Sequence, residues 1–238
     1  MSSSIISLKN VSVVLNRTEI LHDITLSLTR AEIFGYIGPN GAGKTTTLKT
    51  ILGILAPTSG NVSIFGRSPT DRQIQRRIGF MPENTYFYKY LTGDEFLDYC
   101  AKFYDMDGAR LKKRKDDILE RVGLTNARGK KLSTYSKGML QRIGIAQSLI
   151  HDPEIVFLDE PMSGLDPIGR KIIKDLIFDL KSAKKTVFFS THILPDVEAL
   201  CDRFAIINHG KIIAEESVLG LSGRSLESYF LEKIQENP

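Results

Sequence analysis

Residues Gly38–Thr45 read GPNGAGKT, an octapeptide that fits the pattern G-x-x-x-x-G-K-[ST] of a phosphate-binding loop, the P-loop. Its flanks agree with that reading. The apolar run Ile33–Ile37 in front of it predicts a short buried strand, and Lys44–Leu55 behind it carries helical spacing up to the turn residues Pro57-Thr58-Ser59-Gly60. Between such a strand and helix, glycines let the backbone curl with its N–H groups inward, and the helix N-terminus adds favourable potential for anions. Gly38, Pro39, Asn40, Gly41, Ala42, Gly43, Lys44, Thr45 and Thr46 therefore form the candidate cradle for a nucleotide polyphosphate. Within it, Lys44 supplies a mobile positive charge and Thr45 offers a hydroxyl to Mg²⁺.

A phosphate loop of this kind works with carboxylates from a second strand. Ile155–Leu158 followed by Asp159 and Glu160 supplies them at the C-terminal end of a predicted buried strand, where open α/β sheets bind ligands. Asp159 is the candidate for the Mg²⁺ shell. Glu160 is the candidate for orienting or deprotonating an attacking water.

The rest of the chain arranges itself around these two strands. Val11–Leu15 and Ile20–Leu28 are β-branched and partly alternating, with turn-prone Asn16–Thr18 between them, so the start reads as antiparallel strands. Residues 84–150 look mainly helical, with polar breaks near Asp107-Gly108 and Thr125–Lys131. Strand-like runs return at Ile155–Leu158, Val187–Ser190 and Phe204–Asn208, with the helical stretch Arg170–Leu180 between the first two. The expected architecture is α/β: a parallel-sheet core with an N-terminal antiparallel β lobe and an inserted helical lobe. The β lobe and P-loop part of the core fall in 1–83, the helical lobe in 84–150, the rest of the core in 151–220, and a short tail in 221–238. That tail contains the amphipathic stretch Leu226–Ile234, and no internal repeat or low-complexity linker is visible.

Composition narrows the function classes. At 238 residues the chain can form one large α/β domain or a core with a smaller lobe, either of which buries a substantial apolar interior. A net charge of +4 is too mild to argue for nucleic acid. The densest basic run, Arg110–Lys115, stands beside Asp116 and Asp117 and reads as a solvated helix face, with attraction to an anionic membrane surface as the alternative. Cys100 and Cys201 lack the paired spacing of a zinc or disulfide framework and are expected to be packing residues in a reducing compartment. The opening MSSSIISLKN has no signal-peptide pattern, and no window reaches about 18 uninterrupted apolar residues, so any membrane role is expected to come through a partner.

Three further segments carry a resemblance. Tyr135–Met139 reads YSKGM, Ser163–Asp166 reads SGLD, and His192 sits within STHIL, with Ser136 placed 23 residues before Asp159. Taken with the P-loop and Asp159-Glu160, their order and spacing resemble the ATP-binding-cassette family over nearly the whole chain. YSKGM is similar to that family's LSGGQ signature, SGLD to its D-loop, and His192 to its switch histidine. The resemblance implies a P-loop NTPase core of the RecA-like type that binds ATP and Mg²⁺ and hydrolyses the nucleotide, with Lys44, Glu160 and His192 catalytic. It further implies a head-to-tail pair with a second copy or a homologous cassette, in which Ser136 and Gly138 of one chain close the P-loop site of the other and Asp166 links the two sites. Separately encoded transmembrane permease subunits would be the other partner, with no nucleic acid, at the cytoplasmic face of the cell membrane. Read locally, Ser136 also precedes an amphipathic stretch through Leu140, Ile143, Ala146 and Ile150, and its hydroxyl suits a helix cap.

The chain departs from the family pattern in three places. Glu83, in Gly79-Phe80-Met81-Pro82-Glu83, stands where glutamine is usual, and its anionic oxygen suits Mg²⁺ while repelling Asp159 and Glu160 when the metal is absent. No aromatic residue occurs before Phe34, so Leu15 is expected to meet the purine in place of a stacked ring. Lys137 and Met139 replace signature residues, with Lys137 directed at phosphate or at water. Such departures look like those of cassettes serving ABC-2-type exporters. Tyr86, Phe87, Tyr88 and Tyr90 are either the core of the helical lobe or a docking groove, near Glu83–Tyr90, for a cytoplasmic helix of the permease. Rival readings are a GTPase switch, a cassette acting on DNA or ribosomes, and a nucleotide-sensing cassette with little turnover. Asp166–Gly169 fits D-x-x-G but no N-K-x-D follows; long coiled coils or a second cassette are not seen; and Lys44, Asp159, Glu160 and His192 are intact.

Overall fold

The computed structural model describes residues 4–237. The first three residues of the N-terminal segment and the last residue of the tail lie outside the described residues. The chain opens with a hairpin of β1 (Ile6–Leu15) and β2 (Thr18–Leu28). Its two-residue turn, Asn16-Arg17, has both φ angles positive, at 50° and 67°, the backbone that matches the twist of paired strands. After β3 (Ile33–Ile37) and α1 (Lys44–Ile51), β4 (Ser59–Ile64) returns to pair with β1, giving the antiparallel sheet β2-β1-β4. Helix α1 ends earlier than its spacing predicts, because the N–H groups of Ile54 and Leu55 turn back to the Lys49 carbonyl. β4 escaped the sequence reading because it begins in the turn-like residues Ser59, Gly60 and Asn61.

A one-turn helix, α2 (Arg72–Gln75), leads into β5 (Ile78–Met81). The helical segment follows as α3 (Gly93–Ala101), α4 (Gly108–Arg121) and α5 (Lys137–Leu149), with short 3-10 turns between α4 and α5. The chain then alternates β6 (Ile155–Asp159), α6 (Pro167–Ser182), β7 (Thr186–Thr191), α7 (Leu194–Leu200) and β8 (Arg203–Asn208). It finishes with β9 (Lys211–Ser217) and α8 (Leu226–Glu236).

The central sheet has the order β5-β6-β7-β3-β8-β9. Neighbours from β5 to β8 run parallel, as expected, but β9 folds back antiparallel on β8, so the core sheet is mixed rather than wholly parallel. β3, β6 and β7 are buried at every residue, which is why they read as continuous apolar runs. Their side chains alternate between two cores. Phe34, Tyr36, Phe157 and Phe188 face the β lobe and α1, while Ile33, Ile37, Val156, Leu158, Val187 and Phe189 face the helical side. Phe188 packs at 5.4–5.7 Å from the rings of Phe34, Tyr36 and Phe157. Each such buried ring contributes about 2 kcal/mol by apolar burial, so the strand ends that carry the site rest on a stiff base.

The helical segment is held by charge as well as packing. Arg128 makes two bonds to Asp94, at 2.7 and 2.8 Å, and a third to Asp116. Its guanidinium holds the Asp94 carboxyl below the usual range. The basic run is only partly a solvated face: Arg114 donates to the Leu149 and Ile150 carbonyls at the end of α5, and Lys115 pairs with Asp94 and Asp98. Cys100 and Cys201 are free and buried. Among the described residues, no helix is long and apolar enough to cross a membrane.

Candidate functional site

Four adjacent parallel strands, β5, β6, β7 and β3, present their C-terminal ends along one edge of the sheet. The residues that follow those ends are Glu83, Glu160, His192 and Gly38. Glu83, Glu160 and His192 converge with the loop that begins at Gly38 on one cavity of about 450 Å³, lined by Asn40, Gly41, Gly43, Lys44, Thr45, Thr46, Glu83, Asp159, Glu160 and His192, together with Ile20 and Ser163. Segments far apart in sequence thus meet because the strands that carry them are neighbours.

The loop from Gly38 to Gly43 has little freedom to be anything but glycine-rich. A Cβ on Gly38 would stand 2.3 Å from the Ile207 carbonyl oxygen, and Gly43 has φ +110° with its notional Cβ 2.8 Å from Leu21. Gly43 precedes α1, and among the described residues no side chain caps that helix, which leaves its N-terminal N–H groups for an anion. Lys44 is buried, and its ammonium donates to the carbonyls of Gly38 at 2.8 Å and Pro39 at 3.2 Å, with Glu160 Oε1 at 3.6 Å. Behind the loop, burial holds the Tyr36 phenol well above its ordinary range, so it stays neutral; its hydroxyl meets Thr47 at 3.3 Å.

Thr45 and Asp159, 114 positions apart, are in direct contact: Thr45 Oγ1 donates to Asp159 Oδ2 at 2.8 Å. Asp159 is 1% exposed, and its other oxygen accepts from the Ser190 hydroxyl. Asp159 and Ser190 are register partners on β6 and β7. A hydroxyl beside a buried carboxylate is a hard-oxygen donor set of the kind Mg²⁺ prefers. Among the described residues there is no group of three or more His, Cys, Asp or Glu that could hold a metal ion. Glu83 lines the same cavity but is exposed and makes no ion pair or hydrogen bond among those described.

Glu160 is fixed from several sides. Its φ of +51° lies in the left-handed region, which costs a non-glycine residue about 1–2 kcal/mol. Its N–H donates to Ser190 O at 3.1 Å and to Ser190 Oγ at 3.2 Å, and its carbonyl accepts from Ser163 N at 3.1 Å and from Gln141 Nε2 at 3.0 Å. His192 Nδ1 stands 3.0 Å from Glu160 Oε2, an oxygen without an aligned hydrogen bond among the described residues, and the imidazole is half exposed.

Ser136, Gly138 and Asp166 do not line this cavity. Ser136 is the N-cap of α5, accepting from Met139 N at 3.2 Å, as its local sequence predicts. The preceding Tyr135 anchors the turn by donating to the Ala127 carbonyl at 2.9 Å. Asp166 caps α6, accepting from Gly169 N at 2.7 Å. Lys137 lies along Gly164, whose notional Cβ would be 2.8 Å from Lys137 Cε; its stem packs on the D-loop of its own chain. Leu15 is 38% exposed and does not reach the cavity. The wall there is Ile20, because β2 runs past the loop while Leu15 ends at the hairpin tip. Ile20, Ser190 and Gln141 are the contributors that sequence reading missed, whereas Ser163 had been read as the first residue of the SGLD segment without a place in this cavity. Of the three, Ser190 alone had a signal, as the polar end of a buried strand.

The fold and this cavity define a P-loop nucleotide-binding cassette. The chain matches the ABC transporter family over residues 21–163, more than half its length, and it belongs to that family. It is 47% identical over 205 residues to an uncharacterised ABC transporter ATP-binding protein of Nostoc sp., an alignment covering 85% of this chain and 61% of that relative. It is 40% identical over 216 residues to the bacitracin transport ATP-binding protein BcrA of Bacillus licheniformis, covering 90% and 70%. A solved ATP-binding subunit of an ABC transporter superposes with a TM-score of 0.89 at 30% identity, covering 97% of this chain and all of that one. The chain spans about three-fifths of the length of the Nostoc relative and of a second, from Synechocystis.

Proposed function

We propose that this chain is the subunit that binds and hydrolyses ATP to power an ABC transporter, of the ABC-2 exporter kind. The observation that carries this reading is the convergence of Lys44, Thr45, Asp159, Glu160 and His192 on one cavity. The P-loop N–H groups and Lys44 bind the polyphosphate and stabilise charge on the transferred phosphoryl group. Thr45 and Asp159, with Glu83 alongside, would hold Mg²⁺, which neutralises phosphate charge when bound. Glu160, held in a single backbone conformation, orients the attacking water and accepts its proton. His192 sits between Glu160 and solvent, where a γ-phosphate contact would bring it.

The same reading makes the working unit a pair. Ser136, Gly138 and Asp166 stay outside their own chain's cavity, which is what a head-to-tail dimer closing on two nucleotides requires of them. ATP binding would close the pair and hydrolysis would open it. Residues 84–150 act as a lobe that carries the signature turn relative to the core. Tyr86 is 97% exposed, and Tyr88, Tyr90, Leu91 and Tyr99 line a groove of about 460 Å³. That favours the docking reading for this loop, with a permease segment as occupant, at the cytoplasmic face of the membrane. Phe87 alone turns inward, meeting Phe96 at 5.3 Å. The export direction rests on relatives named for bacitracin transport and linearmycin resistance.

The test is phosphate release from Mg²⁺-ATP by the intact chain, alone and with the membrane protein that co-purifies with it. Turnover raised by that partner, and uncoupled by Tyr86→Ala and Tyr90→Ala without unfolding, supports the proposal. Nucleotide binding without turnover under both conditions would favour the sensing cassette.

A further inference from the structure

Glu160 carries the chemistry proposed above, yet its backbone sits in a conformation that a residue with a side chain does not adopt without support. Its N–H is held from β7, by both the carbonyl and the hydroxyl of Ser190. Its carbonyl is held by Ser163 N, from the turn that follows, and by Gln141 Nε2 at 3.0 Å. Gln141 is the member of this set that comes from the helical segment. It lies one turn into α5, whose N-cap is Ser136.

The same helix faces the aromatic loop. Gln141 and Leu140 share a cavity of about 360 Å³ with Glu83, Thr85, Tyr86 and Phe87, and Gln147, further along α5, donates to the Phe80 carbonyl at 2.8 Å. One amide therefore bridges the helix that borders the loop and the turn that aims the catalytic carboxylate. A leucine would fill the space but could not donate.

We propose that Gln141 is a positioning residue for hydrolysis: its amide holds the Glu160 peptide in the left-handed conformation that directs the carboxylate into the P-loop cavity. This rests on the reading of the chain as an ATPase. Gln141 does not line the P-loop cavity, so its effect falls on turnover rather than on nucleotide affinity.

The test compares the unaltered chain with Gln141→Leu and Gln141→Glu in steady-state Mg²⁺-ATP hydrolysis, with melting temperature and ATP affinity measured alongside. Loss of the single donor in Gln141→Leu is expected to lower kcat about tenfold, with KM within about twofold and the melting temperature little changed. Gln141→Glu sets a carboxylate against a carbonyl oxygen at pH 8, so kcat falls further. As pH is lowered toward 6, the carboxyl takes up a proton and regains a donor, and kcat rises relative to the unaltered chain. Unchanged kcat in both variants overturns the proposal. So does a parallel loss of kcat, affinity and melting temperature, or the absence of recovery at low pH. If the leucine variant does not fold, the pH response of Gln141→Glu decides; if neither folds, the role is packing and the proposal fails. Absence of turnover in the unaltered chain, with and without its membrane partner, would instead sink the ATPase reading itself.

Discussion

Ser190→Ala isolates the support beneath Asp159, the proposed Mg²⁺ ligand. Ser190 is fully buried, donates to Asp159, and accepts from the Glu160 N–H. Removing one hydroxyl leaves Glu160 N bonded to the Ser190 carbonyl, so the backbone turn survives and the loss falls on the Asp159 carboxylate. A hydrogen bond to a buried charged group contributes about 1.5–3 kcal/mol. A destabilisation of about 2 kcal/mol should lower the melting temperature by about 4 °C in a chain of this size. Asp159 is then left with Thr45, whose hydroxyl the proposed Mg²⁺ site would also use, and the Mg²⁺ concentration for half-maximal ATPase activity should rise about tenfold, equivalent to about 1.4 kcal/mol. Differential scanning fluorimetry and a Mg²⁺ titration of phosphate release measure both. A variant with the melting temperature and Mg²⁺ dependence of the unaltered chain would refute the role given to Ser190 and weaken the assignment of Asp159.

Three other outcomes are expected. His151 stacks on Tyr104 at 3.7 Å, its Nε2 meets the Ile78 carbonyl, and its buried Nδ1 has no partner among the described residues. Burial lowers its pKa from 6.5 to about 4, so the folded chain keeps it neutral while the unfolded chain protonates near 6.5. Its contribution is fully present above that pH and is lost as pH falls toward 4, reaching about 2 kcal/mol by pH 5. Urea denaturation at pH 7 and pH 5 should show that loss, and His151→Gln should reduce it; equal losses in both chains would exclude His151. Glu83→Gln should make hydrolysis less dependent on Mg²⁺ by removing an anion from a cavity that already holds Asp159 and Glu160; an unchanged Mg²⁺ titration would show that Glu83 stays out of the metal site. With Ile20 rather than an aromatic ring at the cavity wall, stacking of roughly 1 kcal/mol is forgone, and ATP and GTP should bind within a few-fold of each other in a competition assay. A preference for ATP above 100-fold would mean that another contact reads the base.

The parts of the fold visible in the sequence were those where burial on both faces writes an unbroken apolar run. β3, β6 and β7 are of this kind, and each is followed by the polar residues it delivers to the cavity. β4, β5 and β9 were not visible. β4 opens in turn residues, β5 has four residues before Pro82, and β9 is an edge strand whose exposed Lys211 and mixed face lack a clear period. The P-loop and Asp159-Glu160 announce themselves by local pattern. Ile20 and Gln141 do not, because their roles depend on which element packs beside the loop, and only tertiary structure specifies that. Leu15 illustrates the same limit: it ends β1 at the hairpin and is not among the residues that line the cavity.

The central claim is that Lys44 and its loop grip a nucleotide while Glu160 drives cleavage of its last phosphate. Phosphate release and equilibrium ATP binding by the intact chain, Lys44→Ala and Glu160→Gln test it together. Glu160→Gln should retain ATP affinity within a few-fold while turnover falls at least about 100-fold, the scale of a lost general base, and Lys44→Ala should lose affinity as well. Turnover by Glu160→Gln at the unaltered rate, or undiminished binding and cleavage by Lys44→Ala, would contradict the account.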